Sequence, residues 1–273
     1  MKLRAISSVL AAAVLGLGLT ACGSDDAGDA GTDSGGGAET EASGPELIAE
    51  GSLTVCSDVP YPPFEDFDTG SPSGFTGFDI DIVSAIAEGL EVELVVRDSG
   101  FESLQSGQAL NAGQCDLAAS AMTITEEREA NLDFSDGYYD SEQSLLVAEG
   151  SDIASIEDLD GMQVGVQQGT TGKAYTEENA ANAEIVSFPS DAEMYTAIKA
   201  GQVDALLQDL PVNLDHANDG GFEVVETYPT DEQYGFVIKK GNTALVDAVN
   251  EQLTVMRDDG SYDEIYNTYF STD

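Results

Sequence analysis

The sequence predicts an α/β protein that contains two successive α/β units. In each unit, strand-like segments alternate with segments of helical apolar spacing, and this alternation favours parallel strand pairing. The first unit runs from Leu53 to about Ser120, and the alternation starts again after Tyr138. A long amphipathic helix then closes the chain.

The first unit is predicted to begin with a strand over residues 53–56, which a Pro-rich loop follows as far as Phe64. A helix comes next, because apolar side chains recur at helical spacing at Ile80, Val83, Ala87 and Leu90. We then expect a strand over 91–97, a helix over 101–113 and a buried strand over 116–120.

The second unit is predicted to contain three strands and two helices in alternation, with strands over 162–167, 184–188 and 203–207 and helices over 171–179 and 192–200. Two further strands are expected over 222–225 and 234–239. The closing helix has an apolar stripe and ends at Gly260; the stripe comprises Leu245, Ala248, Val249, Leu253 and Met256. A short final helix is expected over 262–270.

Residues 1–21 have the pattern of a signal peptide. Lys2 and Arg4 precede an uncharged apolar run over 5–19, which is shorter than the roughly 20 residues that a membrane span needs. The segment Leu19-Thr20-Ala21-Cys22 resembles the bacterial lipobox, which implies that Cys22 becomes the mature N-terminus and carries lipid. An ordinary secretory signal with an incidental cysteine is the alternative.

Residues 22–44 are predicted to be a disordered tether. From Gly23 to Gly44 the chain holds only Gly, Ala, Ser, Thr, Asp and Glu. A segment without apolar surface cannot offset the entropy that ordering costs. With lipid on Cys22, the protein would lie outside the cytoplasm, anchored to the outer face of the cell membrane.

The chain is strongly acidic, with 52 acidic and 9 basic residues. Two of the basic residues lie in the predicted signal peptide. Repulsion therefore disfavours nucleic acid and anionic lipid surfaces as partners, which leaves the lipid anchor as the expected membrane contact. Such a surface also suits a saline environment, where ions screen the self-repulsion.

Cys56 and Cys115 each lie beside a predicted strand. An extracytoplasmic compartment permits a disulfide between them. Two small buried thiols are the alternative, and the sequence does not decide between them.

The sequence gives little support for catalysis. His216, the one histidine, has no serine or cysteine nucleophile near it in sequence, and we expect it on a solvated helix face. No His and Cys cluster has metal-ligand spacing, and no Walker or dinucleotide-binding motif is present. We therefore expect no catalytic residue, metal or cofactor, and a binding function instead.

Several motifs occur in a fixed order along residues 45–273: Tyr61-Pro62-Pro63-Phe64-Glu65, Gly77-Phe78-Asp79-Ile80-Asp81, Ala121-Met122-Thr123-Ile124-Thr125-Glu126-Glu127-Arg128, Asp133-Phe134-Ser135, Gly169-Thr170-Thr171 and Gly260-Ser261-Tyr262. In these motifs the chain resembles the polar amino-acid family of bacterial solute-binding proteins, the extracellular components of ABC importers. The resemblance implies a periplasmic-binding-protein-like fold, with two α/β lobes joined by two crossing hinge strands around a cleft that closes on its ligand.

On this basis lobe 1 would comprise 45–137 and 235–273, lobe 2 would comprise 142–229, and the hinges would be 138–141 and 230–234. The implied partners are a free L-amino acid and an ABC transporter permease, and we expect a monomer. The alternatives on the same scaffold are a secreted dehydratase acting on cyclic acids and a sensor lobe.

A zwitterion needs a cation for its carboxylate and an anion for its ammonium. Arg128 is the best placed of the basic residues, because it follows a buried strand through a short Thr-rich loop, and its planar fork can bind a carboxylate bidentately. The alternative is that Arg128 pairs with Glu126 or Glu127 on a surface helix. By resemblance, Thr123 and the backbone of Ala121 also contact the carboxylate.

The resemblance places Ser120 near the ammonium, and Thr170 and Thr171 at a helix N-terminus that adds donors from the second lobe. A plain helix cap by Thr170 is the competing account. Asp209 ends a buried strand, where the ligand ammonium would be its partner; the alternative is a helix N-cap before Pro211.

Tyr61 and Phe101 match the aromatic pair that holds the ligand side chain in this family, although either could instead be a core residue. Asp58, Gln167 and Gln208 are placed to face the variable end of the ligand. No cation beyond Arg128 is evident in the pocket, so a polar or cationic ligand side chain is favoured over an acidic one.

Overall fold

The structure, a computed structural model, describes residues 45–271. The predicted signal peptide, the lipidation site at Cys22 and the tether over 22–44 lie outside these residues. Among the helices of the described part, none is both long enough and apolar enough to cross a bilayer.

The chain from Ser52 to Phe134 forms six strands and four helices. They are β1 (Ser52–Ser57), β2 (Asp66–Phe67), β3 (Phe75–Thr76), α1 (Phe78–Gly89), β4 (Glu93–Asp98), α2 (Phe101–Gln105), α3 (Gln108–Asn111), β5 (Leu117–Ala118), α4 (Glu126–Glu129) and β6 (Leu132–Phe134).

The chain from Tyr139 to Phe270 forms six more strands, a 3-10 helix over Ile156–Leu159 and five more helices. They are β7 (Tyr139–Ala148), β8 (Gln163–Gln167), α5 (Thr171–Asn179), β9 (Glu184–Phe188), α6 (Asp191–Lys199), β10 (Ala205–Asp209), α7 (Leu210–Asn218), β11 (Phe222–Tyr234), β12 (Val237–Lys239), α8 (Thr243–Asp259) and α9 (Ser261–Phe270).

Two five-stranded sheets form, with the strand orders β4-β1-β5-β12-β6 and β11-β7-β10-β8-β9. The strands β4, β1 and β5 pair in parallel, and so do β10, β8 and β9. The remaining pairs, which involve β12, β6, β7 and β11, are antiparallel. The α/β class is therefore confirmed, with mixed sheets in place of wholly parallel ones.

The long strands β7 and β11 are where the chain passes between the two sheets. They pair antiparallel from Phe222 opposite Ala148 to Tyr234 opposite Tyr139, with register shifts on the way. The segments predicted as hinges, 138–141 and 230–234, fall on the ends of these strands next to the first sheet. The exact division into lobes stays a prediction.

Several sequence-based boundaries were wrong. The strand expected over 234–239 starts only at Val237, because Tyr234 belongs to β11, and the strand expected over 116–120 is confined to Leu117–Ala118. The helix expected over 101–113 is broken into α2 and α3, because Gly107 at the junction adopts the left-handed conformation at φ 74°. The strand expected over 222–225 continues to Tyr234, and β7 was not predicted at all. Both misses concern the antiparallel pair, whose long partner supplies hydrogen bonds that local propensity does not reveal.

Cys56 in β1 and Cys115 just before β5 are joined by a disulfide that spans 59 positions of sequence. Both side chains are buried in a cluster with Phe101, Leu104 and Met122. The bridge thus ties β1 to the chain segment that leads to its neighbour β5, the central strand of the first sheet.

Candidate functional site

The carboxyl ends of parallel strands from both sheets meet at one cavity. Asp58 follows β1, Ser120 follows β5, Gln167 ends β8 and Asp209 ends β10. In open α/β sheets this edge is the usual place for a ligand, because loops there converge around the strand ends.

The empty space among the lining atoms is about 300 Å³ when the part that opens to solvent is included. Eleven of the twelve residues predicted as ligand-binding line it: Asp58, Tyr61, Phe101, Ser120, Ala121, Thr123, Arg128, Gln167, Thr170, Thr171 and Asp209. They come from strand ends, loops and helices around both sheets, so residues far apart in the sequence lie close together in the structure.

Gln208 does not line the cavity, which corrects its predicted position. Its amide nitrogen donates to Asp191 Oδ1 at 2.9 Å and to Asn213 Oδ1 at 3.1 Å. Successive residues of a strand point to opposite faces, so Asp209 and Gln208 cannot both face the cavity from β10. Gln208 instead belongs to a buried polar network behind the site.

His216 also differs from expectation, since it is 4% exposed and not on a solvated face. Its Nε2 lies 2.9 Å from Asp191 Oδ1, and its ring stacks on Tyr195 with 3.7 Å between the centroids. The histidine therefore belongs to the same buried network as Gln208 and lies outside the cavity.

Arg128 is held by carbonyl groups and an aromatic ring. Its Nη1 donates to the Thr123 carbonyl at 2.7 Å, its Nη2 donates to the Gly169 carbonyl at 2.9 Å, and the guanidinium lies 5.4 Å from the centroid of Phe101. No ion pair in residues 45–271 includes Arg128, so pairing with Glu126 or Glu127 is not what the structure shows. Burial lowers the pKa of this guanidinium. Two of its five N–H groups are used, which leaves donors for a carboxylate.

Asp209 lies across the cavity and accepts three hydrogen bonds. Its Oδ2 accepts from the hydroxyls of Tyr61 at 2.9 Å and Tyr234 at 2.6 Å, and its Oδ1 accepts from Gln143 Nε2 at 2.5 Å. Asp209 occupies the N-cap position of α7, but its side chain makes no capping bond. Burial, followed by the charge of Glu232, raises its pKa to about 6.

A second carboxylate, Asp58, also faces the cavity. Its Oδ2 accepts from Gln167 Nε2 at 2.6 Å, which joins the two sheets across the site. Burial raises the pKa of Asp58 to about 6. No ion pair in the described part of the chain includes Asp58 or Asp209, so the cavity presents two carboxylates for one guanidinium.

Tyr61 and Phe101 each serve the core and the cavity. Both line the cavity, yet Tyr61 packs in the main core cluster of the first sheet and Phe101 in the cluster around the disulfide. Thr170 likewise caps α5, since its Oγ1 accepts from the N–H of Lys173 at 3.1 Å. Each of these residues therefore has both roles that the sequence left as alternatives: it stabilises the fold and it lines the cavity.

Glu232 is a site residue that the sequence did not predict. Its Oε2 accepts from Thr123 Oγ1 at 2.7 Å and from Thr171 Oγ1 at 2.8 Å. Thr123 lies in the loop after β5 of the first sheet, and Thr171 begins α5, which follows β8 of the second sheet. Gln143 Nε2 donates to the same carboxylate at 3.1 Å. Glu232 lies on β11 and Gln143 on β7. Recognition of this long strand pair in the sequence would have indicated that both residues reach the site.

The fold and the cavity define a two-lobed binding protein whose site is lined by the guanidinium of Arg128 and by the carboxylates of Asp58 and Asp209. The model of the bacterial extracellular solute-binding proteins, family 3, matches residues 53–272. The chain belongs to this family.

Two curated relatives are similar over most of the chain. The ABC transporter glutamine-binding protein of Bacillus subtilis is 38% identical over 202 residues, which cover 72% of this chain and 73% of that protein. The L-arginine-binding protein of Pseudomonas aeruginosa is 31% identical over 246 residues, which cover 84% of this chain and 92% of that protein.

Two solved structures share the fold at comparable identity. An ancestral arginine-binding protein bound to arginine has a TM-score of 0.76 and 36% identity, covering 81% of this chain and 99% of that one. An ancestral amino acid-binding protein described as a precursor of cyclohexadienyl dehydratase has a TM-score of 0.73 and 36% identity, covering 81% and 96%. The scaffold is thus shared by amino-acid-binding proteins and by a precursor of an enzyme.

Proposed function

We propose that this protein is the extracytoplasmic substrate-binding component of an amino-acid ABC importer, and that it captures a polar or cationic L-amino acid in the cavity. The main supporting observation is that Arg128, on α4 next to the first sheet, and Asp209, at the end of β10 in the second sheet, line one cavity. A single zwitterion fits between them, with its carboxylate toward Arg128 and its ammonium toward Asp209. The amino-acid-binding relatives support the same class of ligand.

The remaining contacts are assigned by position in the cavity. Thr123 and Thr171 lie on the carboxylate side, and their hydroxyls, which donate to Glu232 in this structure, would turn to the ligand. The N–H of Ala121 donates to Asp79, so Ala121 contributes to the wall of the cavity by its position. Ser120 lies on the ammonium side. Tyr61 and Phe101 provide apolar faces for the stem of the side chain. Asp58 and Gln167 receive its distal end.

Charge balance favours a cationic side chain over a neutral one. Arg128 contributes one positive charge, whereas Asp58 and Asp209 line the cavity as carboxylates and Glu232 adds a third carboxylate at Thr123 and Thr171. A ligand with a neutral side chain leaves this excess of negative charge unchanged, and a buried unpaired charge is costly. A ligand with a second cationic group reduces the excess, and Asp58 is placed to receive it.

Ligand binding would hold the two lobes together. Direct hydrogen bonds already cross the cavity from Tyr61 to Asp209, from Gln167 to Asp58 and from Arg128 to Gly169. A ligand that contacts both sides stabilises this closed arrangement and not the open one. With hinges at 138–141 and 230–234, closure would let the permease distinguish loaded from empty protein.

The same proposal includes a lipid on Cys22, a flexible tether over 22–44 and a monomeric binding unit. The tether would keep the lobes within reach of the permease while they open and close. Mass spectrometry of the mature N-terminus tests the lipid, and sedimentation equilibrium tests the monomer.

A thermal-shift screen against the twenty L-amino acids, followed by calorimetry, tests the function. A ligand at 100 times its dissociation constant stabilises the protein by about 2.7 kcal/mol. We expect arginine, lysine or histidine to give the largest shift, glutamine a smaller one and glutamate none. No shift with any amino acid would contradict the proposal.

We further infer that the protein is not a dehydratase. Such an enzyme needs a general acid over its substrate, whereas both oxygens of Asp209 already accept hydrogen bonds. Incubation with prephenate or arogenate should leave both compounds intact. Product formation that is lost in Asp209→Asn would establish the enzymatic alternative.

A further inference from the structure

Two carboxyl groups lie behind the wall of the cavity and have no part in the ligand contacts proposed above. Glu65 and Asp79 are both 0% exposed. Their backbones are adjacent, because the N–H of Asp79 donates to the carbonyl of Phe64 at 2.9 Å. No ion pair in residues 45–271 includes either of them.

Each of these carboxyl groups contacts one of two consecutive residues that line the cavity. Ser120 Oγ donates to Glu65 Oε1 at 2.5 Å and accepts from the N–H of Asp58 at 3.0 Å. The N–H of Ala121 donates to Asp79 Oδ2 at 2.9 Å. The pair therefore anchors the segment Ser120–Ala121 from behind, and Ser120 connects it to Asp58.

The second oxygen of each carboxyl group, Glu65 Oε2 and Asp79 Oδ1, is buried without a hydrogen-bond partner. Two neighbouring buried carboxylates without a cation are strongly unfavourable. A single proton on the pair removes one of the two charges and adds a donor beside oxygens that otherwise only accept. The same arrangement explains why burial and the charge of Asp79 raise the pKa of Glu65.

The hydrogen bond to Asp79 supports an unusual backbone conformation at Ala121. Its φ is 45°, in the left-handed region that a residue with a Cβ rarely adopts. Such a conformation persists only where surrounding contacts hold it. The hydrogen bond to Asp79 is the side-chain contact that holds the Ala121 peptide in this orientation.

We propose that Glu65 and Asp79 hold one proton between them and act as positioning residues, which fix Ser120 and Ala121 in the orientation that ligand binding requires. This inference rests on the proposed function of the cavity. Neither residue touches the ligand, so both act through the cavity wall.

Loss of the shared proton should weaken ligand binding. Three other titratable groups face the pair: Asp58 after β1, Tyr61 from the Pro-rich loop and Tyr138 just before β7. The hydroxyl of Tyr138 donates to Asp79 Oδ2 at 2.7 Å. None of them is a cation that could stabilise a second negative charge. At alkaline pH the two carboxylates would repel each other and loosen the Ala121 anchor.

Replacement of Glu65 by Gln and by Ala separates positioning from bulk stability. Glu65→Gln keeps a donor toward Asp79 and an acceptor for Ser120, as the protonated pair does, so its dissociation constant at pH 7 should stay within about threefold of wild type. Glu65→Ala removes both and should weaken binding more than tenfold. Asp116→Asn is the matched control, because Asp116 is a buried carboxylate of the first sheet that accepts from backbone N–H groups of Ile48 and Thr54. This variant should lower the melting temperature and leave affinity unchanged.

The pH profile of affinity tests the shared proton. Between pH 7 and 9 the dissociation constant of wild type should rise several-fold more than that of Glu65→Gln, while titration of the ligand affects both proteins equally. Equal profiles, or a folded Glu65→Gln protein that binds no ligand at pH 7, would overturn the inference.

If wild type binds no amino acid, the proposed function fails but the pair can still be tested without ligand. The melting temperature of wild type should fall more steeply between pH 5 and 8 than that of Glu65→Gln, because the folded pair retains a proton that the unfolded chain has lost. Parallel curves would show that no proton is shared.

Discussion

Replacement of Arg128 by Ala should abolish ligand binding while the protein remains folded. The guanidinium is 7% exposed and its charge has no ion-pair partner in the described residues, so the ligand carboxylate is its expected counter-charge. Truncation of one partner of a buried, hydrogen-bonded charge pair costs about 2 to 5 kcal/mol. This corresponds to a loss of affinity of about 30-fold to several thousand-fold.

Stability of the ligand-free protein should change little. The substitution removes the bonds to the carbonyls of Thr123 and Gly169, but it also removes a buried charge whose desolvation lowers its own pKa. Arg128→Lys should be intermediate, because lysine keeps the charge and loses the planar fork.

Arg257→Ala is the matched control. Arg257 also donates to a carbonyl, that of Gly137 at 2.7 Å, and lies 5.5 Å from the centroid of Tyr262, but it is exposed and outside the cavity. Calorimetry on the three variants and wild type gives the affinities, and thermal melts without ligand give the stabilities. Affinity within threefold of wild type for a folded Arg128→Ala protein would refute the carboxylate assignment.

Three further results are expected. Asp58→Asn should weaken binding of a cationic amino acid by about 10- to 100-fold and leave binding of glutamine nearly unaffected, since the amide keeps the shape of the side chain and loses its charge. Equal losses of affinity for both ligands in calorimetry would show that Asp58 does not face the ligand side chain. Reduction of the disulfide between Cys56 and Cys115 should lower the free energy of unfolding by about 4 kcal/mol for a loop of this length, as urea titration with and without reductant would reveal. The free energy of unfolding should fall as pH rises from about 4 to 7. The folded protein holds the pKa of Asp58 and Asp209 at about 6, and burial raises the pKa of the neighbouring pair Glu65 and Asp79, so the folded protein binds more protons than the unfolded chain. Each extra proton contributes about 1.4 kcal/mol per pH unit, and stability that rises with pH over this range would contradict the prediction.

Local patterns were sufficient where an element's own residues determine its limits. The helix over 171–179 and the strand over 184–188 have the predicted bounds, and the long helix α8 ends at Gly260, whose φ is 87°. These elements carry their own signals in apolar spacing, capping residues and a left-handed glycine. The α/β class and the family follow from such local signals repeated in order along the chain.

Patterns failed where a distant partner determines the conformation. The antiparallel strands β7 and β11 stabilise each other over a long stretch, and neither has the strict alternation of a half-buried strand. Glu232 and Gln143 were missed for this reason. His216 was placed on the surface because the sequence does not show that Asp191 and Tyr195 cover it.

By itself, the sequence determined the α/β class, the order of most elements, the family and the kinds of side chain that a zwitterion requires, because these depend on residue type and spacing along one chain. Only the tertiary structure decided that Asp209 faces the cavity while Gln208 turns away, that Glu232 bridges Thr123 and Thr171, and that Glu65 and Asp79 lie together behind Ser120 and Ala121. The physical reason is that burial, hydrogen-bond partners and charge interactions depend on distances across the fold, which no local pattern contains.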